Sequence, residues 1–207
     1  WSNNLKKNNG ELLFSLKGDR DYVHGTDIYN TFFSDIQTNY PNTNFLDISI
    51  TYSKMVNGVN LLYKVCKGNI CNKNANVSIN FTFKGEKYSA SLIESKTKVS
   101  GRYSFNESSI YKHCVVSAKK QEILLNSKVQ FSDIEIFTVM KKRMLNVLFP
   151  NVKNWLLTKV EIEAFKLNSI YNEIKLVLVK NRNFKLIKTA IIIDGSHIGF
   201  IYFSKAP

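Results

Sequence analysis

Residues 17–40 read KGDRDYVHGTDIYNTFFSDIQTNY, and the rest of the chain is organised around them. Ile28, Phe32 and Ile36, with Tyr29 and Phe33 beside them, recur at the spacing of one helical face. Thr26 or Asp27 can start that helix by accepting the free N–H groups of its first turn. Tyr40-Pro41-Asn42 stops it, because proline disfavours a helical residue before it. Asp19, Arg20, Asp21, Tyr22, His24, Gly25, Thr26, Asp27 and Asn30 crowd the entrance. A polar, glycine-containing entrance can turn its N–H groups toward a polarised oxygen. The same pattern also describes a capped core helix behind a charged loop.

Downstream, residues 45–55 alternate, with Leu46, Ile48, Ile50 and Tyr52 on one face of a strand. Residues 59–66, 77–83 and 87–96 read as further strands, the last two joined by a Lys84-Gly85-Glu86 hairpin turn. A strand is also expected over 11–16, and 97–114 reads as a polar connection. Then the order repeats. A strand over 122–131 leads to Ser132-Asp133-Ile134-Glu135, a capping box. Ile134, Phe137, Met140, Met144, Leu145 and Leu148 form the apolar face of the helix it opens, which stops at Pro150. Strands over 157–167, 171–180, 184–193 and 197–204 follow, with Asp194-Gly195-Ser196 as the last turn. Thr26-Asp27-Ile28 matches Ser132-Asp133-Ile134, Pro41-Asn42 matches Pro150-Asn151, and Lys84-Gly85-Glu86 matches Asp194-Gly195-Ser196. The reading is an α+β chain of two tandem copies, 1–110 and 111–207, each one helix and a meander of strands. A period of roughly 110 residues suits a duplicated domain rather than a solenoid.

Composition narrows the partners. The formal charge of +13 admits nucleic acid, an anionic membrane surface or an acidic carrier protein. The lysines are spread along the chain without a basic run, so nucleic acid is not favoured. No apolar run reaches the ~18 residues of a membrane span. Cys66, Cys71 and Cys114 are too few for a disulfide scaffold; Cys66 and Cys71 can bridge, and no metal site is expected. His113 beside Cys114 invites a nucleophile reading, but loop neighbours rarely face each other.

In element order the chain resembles a double hotdog protein, over most of 11–96 and 122–205. Hotdog domains wrap a curved antiparallel sheet around one central helix, and the superfamily is associated with acyl-thioesters of coenzyme A or acyl carrier protein. Its dehydratases carry a segment like G-D-P-V-M-P-G before a helix with Glu or Asp five residues after the last Gly. Gly18-Asp19 and Val23-His24-Gly25 look similar, with one extra residue between them. The resemblance implies that Gly25 and Thr26 lie at an oxyanion-stabilising helix entrance. Lys17 and Arg20 would contact a carrier or phosphate. The departures are also specific. Asn30 stands where the carboxylate is expected, and Ser15 or Leu16 lies near the place of the expected His. His24 or Asp27 would then supply acid–base chemistry, Asn30 would orient a water or carbonyl, and Tyr22 would donate a proton or act as an acyl acceptor. The second copy has Val129-Gln130-Phe131 in place of the Val-His-Gly turn, so one polar site is expected, in the first half.

The resemblance thus implies hydrolysis of, or acyl transfer from, a thioester in lipid or polyketide-type metabolism, with decarboxylation and dehydration behind. The substrate carrier would be phosphopantetheine and no other cofactor is implied. Acyl-CoA or an acyl carrier protein would be the partner, the location cytoplasmic, and the assembly a monomeric pseudo-dimer or a homodimer. The alternative is a non-catalytic hotdog protein that binds an acyl ligand or a partner protein.

Overall fold

The computed structural model describes residues 8–41, 44–68, 72, 74–164 and 171–206. The chain divides into two compact units, Trp1–Phe105 and Asn106–Pro207.

The first unit contains β1 (Asn9–Leu12), β2 (Leu16–Lys17), α1 (Gly25–Asn39), β3 (Phe45–Tyr52), β4 (Val59–Lys67), β5 (Val77–Phe83), β6 (Glu86–Lys98) and β7 (Arg102–Tyr103). Its main sheet runs β1-β4-β6-β5-β3, antiparallel throughout. The helix buries Ile28, Tyr29, Phe32, Phe33 and Ile36, the face its spacing predicts. Phe32 meets Tyr63 of β4 at 5.6 Å and Phe81 of β5 at 6.1 Å, and Phe33 meets Phe45 of β3 at 5.4 Å. Each such phenylalanine, fully withdrawn from water, stabilises the unit by about 1.5–3 kcal/mol.

Four local expectations change. The strand expected over 11–16 breaks in two. β1 ends at Leu12, Phe14 N–H donates to the Asn60 side chain at 2.9 Å, and pairing resumes as β2, parallel to β7. The helix begins at Gly25, because His24 caps it and Thr26 N–H donates to His24 Nδ1. In β3 the alternation fails at Leu46, which is 43% exposed while Phe45 is buried. Asp47 takes φ 50° and the pairing with β5 shifts between Leu46 and Ser49, so the strand changes face there. The connection over 97–114 contains β7 and the short helix α2 (Ser108–Tyr111).

The second unit continues from α2 with β8 (Cys114–Ser117), β9 (Glu122–Leu125), α3 (Asp133–Leu148), β10 (Trp155–Ala164), β11 (Ile174–Arg182), β12 (Leu186–Ile193) and β13 (Ser196–Lys205). Its strands are ordered β10-β13-β12-β11-β9-β8, again antiparallel. The strand expected over 122–131 stops at Leu125. Glu135 accepts from Ser132 N–H at 3.1 Å and Ser132 Oγ at 2.8 Å, which completes the start of α3. This helix is buried nearly all round, through Ile134, Ile136, Phe137, Thr138, Val139, Met140, Lys141, Met144 and Leu145. The two matched hairpin turns share a geometry. Lys84 and Gly85 take φ 49° and 78°, Asp194 and Gly195 take 48° and 80°. Both central residues of a type I′ turn need that left-handed conformation.

Candidate active site at the entrance of α1

The loop over residues 17–24 brings the expected side chains to the first turn of α1. His24 is half-buried, and its Nδ1 receives both Thr26 N–H at 3.4 Å and the Thr26 hydroxyl at 2.7 Å. A backbone N–H can only donate, so Nδ1 carries no proton and the ring N–H is at Nε2. The Tyr22 ring lies 6.3 Å from the His24 ring. Gly25 O accepts from the Tyr52 hydroxyl at 2.8 Å. Burial of that hydroxyl, reinforced by Tyr29 and Asp27, holds its pKa well above the usual tyrosine value. Tyr52 therefore stays a neutral donor.

Lys17 does not reach outward to a carrier or phosphate. It is 1% exposed, and its ammonium donates to Thr26 Oγ1 and to Asp27 Oδ1, both at 3.1 Å. The Phe105 ring centroid lies 4.0 Å from it. A lysine is rarely fully buried unless it is paired, and here the partner is a carboxylate. Tyr103 adds its hydroxyl to the same Asp27 Oδ1 at 2.9 Å. Among the described residues, the buried Asp27 Oδ2 has no hydrogen-bond partner. Arg20 is also turned to the loop, donating to Lys17 O at 3.3 Å. Asn30 is half-buried on α1.

The structure thus joins His24, Thr26, Lys17 and Asp27 through one hydrogen-bonded chain. Tyr52, Tyr103 and Phe105 belong to the same neighbourhood, and none of them carries a functional signal in the sequence. Tyr103 and Phe105 lie in a segment without periodicity. Tyr52 read only as one of a strand's buried-face residues.

The second unit carries different polar groups. Lys141 is fully buried on α3 and donates to Ile187 O at 2.7 Å and Ile201 O at 2.6 Å. Burial pulls its pKa well below the usual lysine value. Cys114 is a free thiol whose Sγ contacts Ile110 O at 3.5 Å. Burial pushes its pKa up to about 11, so the thiolate that a nucleophile needs is scarce near neutral pH. His113 beside it is exposed, as is His197, whose ring lies 4.5 Å from Phe200. Cys66 is disulfide-bonded, and Cys71, offered as its partner, lies outside the described residues. Among the described residues, no three His, Cys, Asp or Glu side chains converge on a metal position. Nor is any described helix long and apolar enough to cross a membrane.

No protein-family model matches the sequence, and no curated protein does. Solved structures do match. A tesB protein from Mycobacterium avium subspecies paratuberculosis is 6% identical, with 97% of this chain and 94% of that one covered and a TM-score of 0.57. A protein from Thermobifida fusca, assigned as a thioesterase II, is 7% identical over 98% of this chain and 94% of its own, with a TM-score of 0.53. The dehydratase domain of PpsC from Mycobacterium tuberculosis, solved with C12:1-CoA, is 5% identical over 96% and 92%, with a TM-score of 0.52. At such identities the likeness concerns the fold, and the fold is the hotdog fold.

Proposed function

We propose that the protein processes acyl-thioesters, by hydrolysis or acyl transfer, at the entrance of α1. In this reading the chain is a double hotdog, each unit a sheet curved around its helix, and the first unit holds the chemistry. The observation that carries it is Asp27, on the first turn of α1, whose Oδ1 is occupied by Lys17 and Tyr103 while its buried Oδ2 has no partner among the described residues. Structures of this fold include a thioesterase II and a dehydratase domain bound to an acyl-CoA, which supports the substrate class.

The residues divide the work as follows. The first turn of α1 presents the positive end of its dipole to the thioester oxygen as negative charge develops there. Asp27 takes a proton from the attacking water or alcohol. His24 Nε2–H donates to the carbonyl or to the leaving sulfur. Asn30, in place of a carboxylate, orients a water rather than abstracting a proton, so dehydration is disfavoured. The basic chain, with its +13 formal charge, would receive the phosphates of coenzyme A or an acidic carrier protein. The Cys66 disulfide favours an oxidising compartment over the cytoplasm.

The test is turnover of a panel of acyl-CoA and acyl-carrier thioesters, followed by mass spectrometry, for wild type, His24→Ala and Asn30→Ala. Product from wild type that falls by about 100-fold in His24→Ala supports the reading. Acyl-carrier binding without turnover would instead establish a non-catalytic acyl-binding protein.

A further inference from the structure

We propose that Lys17 and Tyr103 are positioning residues that fix the Asp27 carboxylate, so that Oδ1 is saturated and Oδ2 alone receives the proton of the attacking nucleophile. The substrate rests on the acyl-thioester reading. The clamp rests on its own geometry.

That geometry is built by a strand pairing too short to serve as a sheet. β2 and β7 pair in parallel over two residues each, Leu16 with Arg102 and Lys17 with Tyr103. Leu16 N–H donates to Gly101 O at 3.1 Å, and Gly18 N–H to Tyr103 O at 2.8 Å. The Arg102 guanidinium bonds Gly18 O and, at 2.8 Å, Arg20 O. These contacts stitch residues 101–103 to the loop that enters α1, across more than eighty residues of intervening chain. The pairing holds Lys17 and Tyr103 side by side, and both side chains end on the same oxygen of Asp27. Lys17 is buried and lies over Phe105, whereas Tyr103 is 38% exposed.

The asymmetry of the carboxylate is what points to function. An ion pair that only stabilises a fold gains most when both carboxylate oxygens are satisfied. Here two donors converge on Oδ1, and among the described residues Oδ2 has none. The Thr26 hydroxyl does not change this, because it lies 2.7 Å from His24 Nδ1 and its only contact with the carboxylate, at 3.4 Å, is again to Oδ1. Buried acceptors without a donor are rare, and a catalytic role is one of the few reasons they persist. With its rotation fixed and one oxygen occupied, Asp27 can accept a proton at one atom and from one direction.

In hydrolysis the water oxygen bonds to the thioester carbon, one water proton passes to Oδ2, and the carbonyl π pair moves onto its oxygen. The carbonyl then re-forms, the carbon–sulfur bond breaks, and the thiolate leaves with the proton that Oδ2 returns. The products are a carboxylic acid and a thiol, with Asp27 as it began. Lys17 and Tyr103 act through Asp27 and touch no substrate.

Tyr103→Phe is the informative variant, since it removes one oxygen and leaves the ring in place. Lys17→Met would leave a buried carboxylate without its counter-ion and is expected to destabilise the unit as a whole. Two readouts on the full chain are needed. In steady-state kinetics on the best thioester of the panel, Tyr103→Phe lowers kcat about tenfold with KM and melting temperature close to wild type. In three-bond NMR couplings on Asp-labelled protein, Asp27 occupies a single χ1 rotamer in wild type and averages between rotamers in Tyr103→Phe. A rotamer and kcat both unchanged in Tyr103→Phe would overturn the clamp, as would an Asp27 that already averages in wild type. If wild type turns over no thioester but its Asp27 rotamer is single and is released by Tyr103→Phe, the clamp stands and the thioester reading falls.

Discussion

Lys17 and Lys141 are both withdrawn from water, 1% and 0% exposed, and the two units hold them in opposite ways. In the first unit the ammonium meets a carboxylate and a hydroxyl. In the second it meets two backbone carbonyls and, 4.8 Å away, the ring of Phe203. An opposite charge keeps a buried charge tolerable, whereas beside dipoles alone burial pulls the lysine pKa down. The helix entrances differ in the same sense. Glu135 of α3 is used as a cap, accepting from Ser132. Asp27 of α1 caps nothing: His24 does that, and the carboxylate is tied to Lys17 and Tyr103. The first unit thus pairs its buried lysine with a carboxylate, where the second holds its lysine on backbone carbonyls and uses a carboxylate as a cap.

The largest expected break in that comparison is Lys17→Met. Removing one member of a buried ion pair strands the other, and the first unit should lose about 3–5 kcal/mol, read as weakened hydrogen-exchange protection in α1. Lys141→Met at neutral pH strands no charge. Its effect on α3 should stay within about 1.5 kcal/mol and can be stabilising, as for a volume-conserving core change. Equal losses in the two variants would end the distinction between paired and unpaired lysines.

A smaller and sharper effect lies in pH. Burial lowers the folded-state pKa of Lys141 below its unfolded value of 10.5. Between those two values the unfolded chain binds one more proton than the folded one, so wild-type stability rises with pH. Any advantage of Lys141→Met at neutral pH should thus shrink as pH climbs toward 10.5, in paired denaturant titrations. A gap independent of pH would mean that Lys141 is charged in both states.

Ser132→Ala should cost about 1 kcal/mol through the lost cap of α3, with thioester turnover untouched. Least conspicuous is Cys114. With its pKa raised to about 11, it should resist iodoacetamide at pH 7.5 in the folded protein and react readily once unfolded. Fast alkylation of the folded form would give the second unit a reactive group that the structure denies it.

The repeated order of helix, strands and I′ turns was legible because each feature has a local signal. Apolar residues at helical spacing, Ser132 three residues before Glu135, and glycine at a hairpin all act within a few positions. What the sequence hid depends on distant pairing. Lys17 read as a surface charge, because nothing near it says that Tyr103 and Phe105 return to enclose it. β2 and β7 are two residues each, too short for any period. The outward turn of Leu46 follows from a single left-handed residue, Asp47, with no glycine to announce it. His24 was legible as a reactive side chain but not as a helix cap, a place more often taken by Ser, Thr, Asp or Asn. Of the candidate site, His24, Thr26 and Asp27 were thus visible as a cluster, while the clamp that orients Asp27 was not.

The most direct measurement sets the two helix entrances against each other. Thioester turnover is followed for wild type, Asp27→Asn and Asp133→Asn, each carboxylate being in the first turn of its helix. Turnover should fall about 100-fold or more in Asp27→Asn and stay unchanged in Asp133→Asn. Turnover that survives Asp27→Asn, or that depends on Asp133, would contradict a site at the entrance of α1.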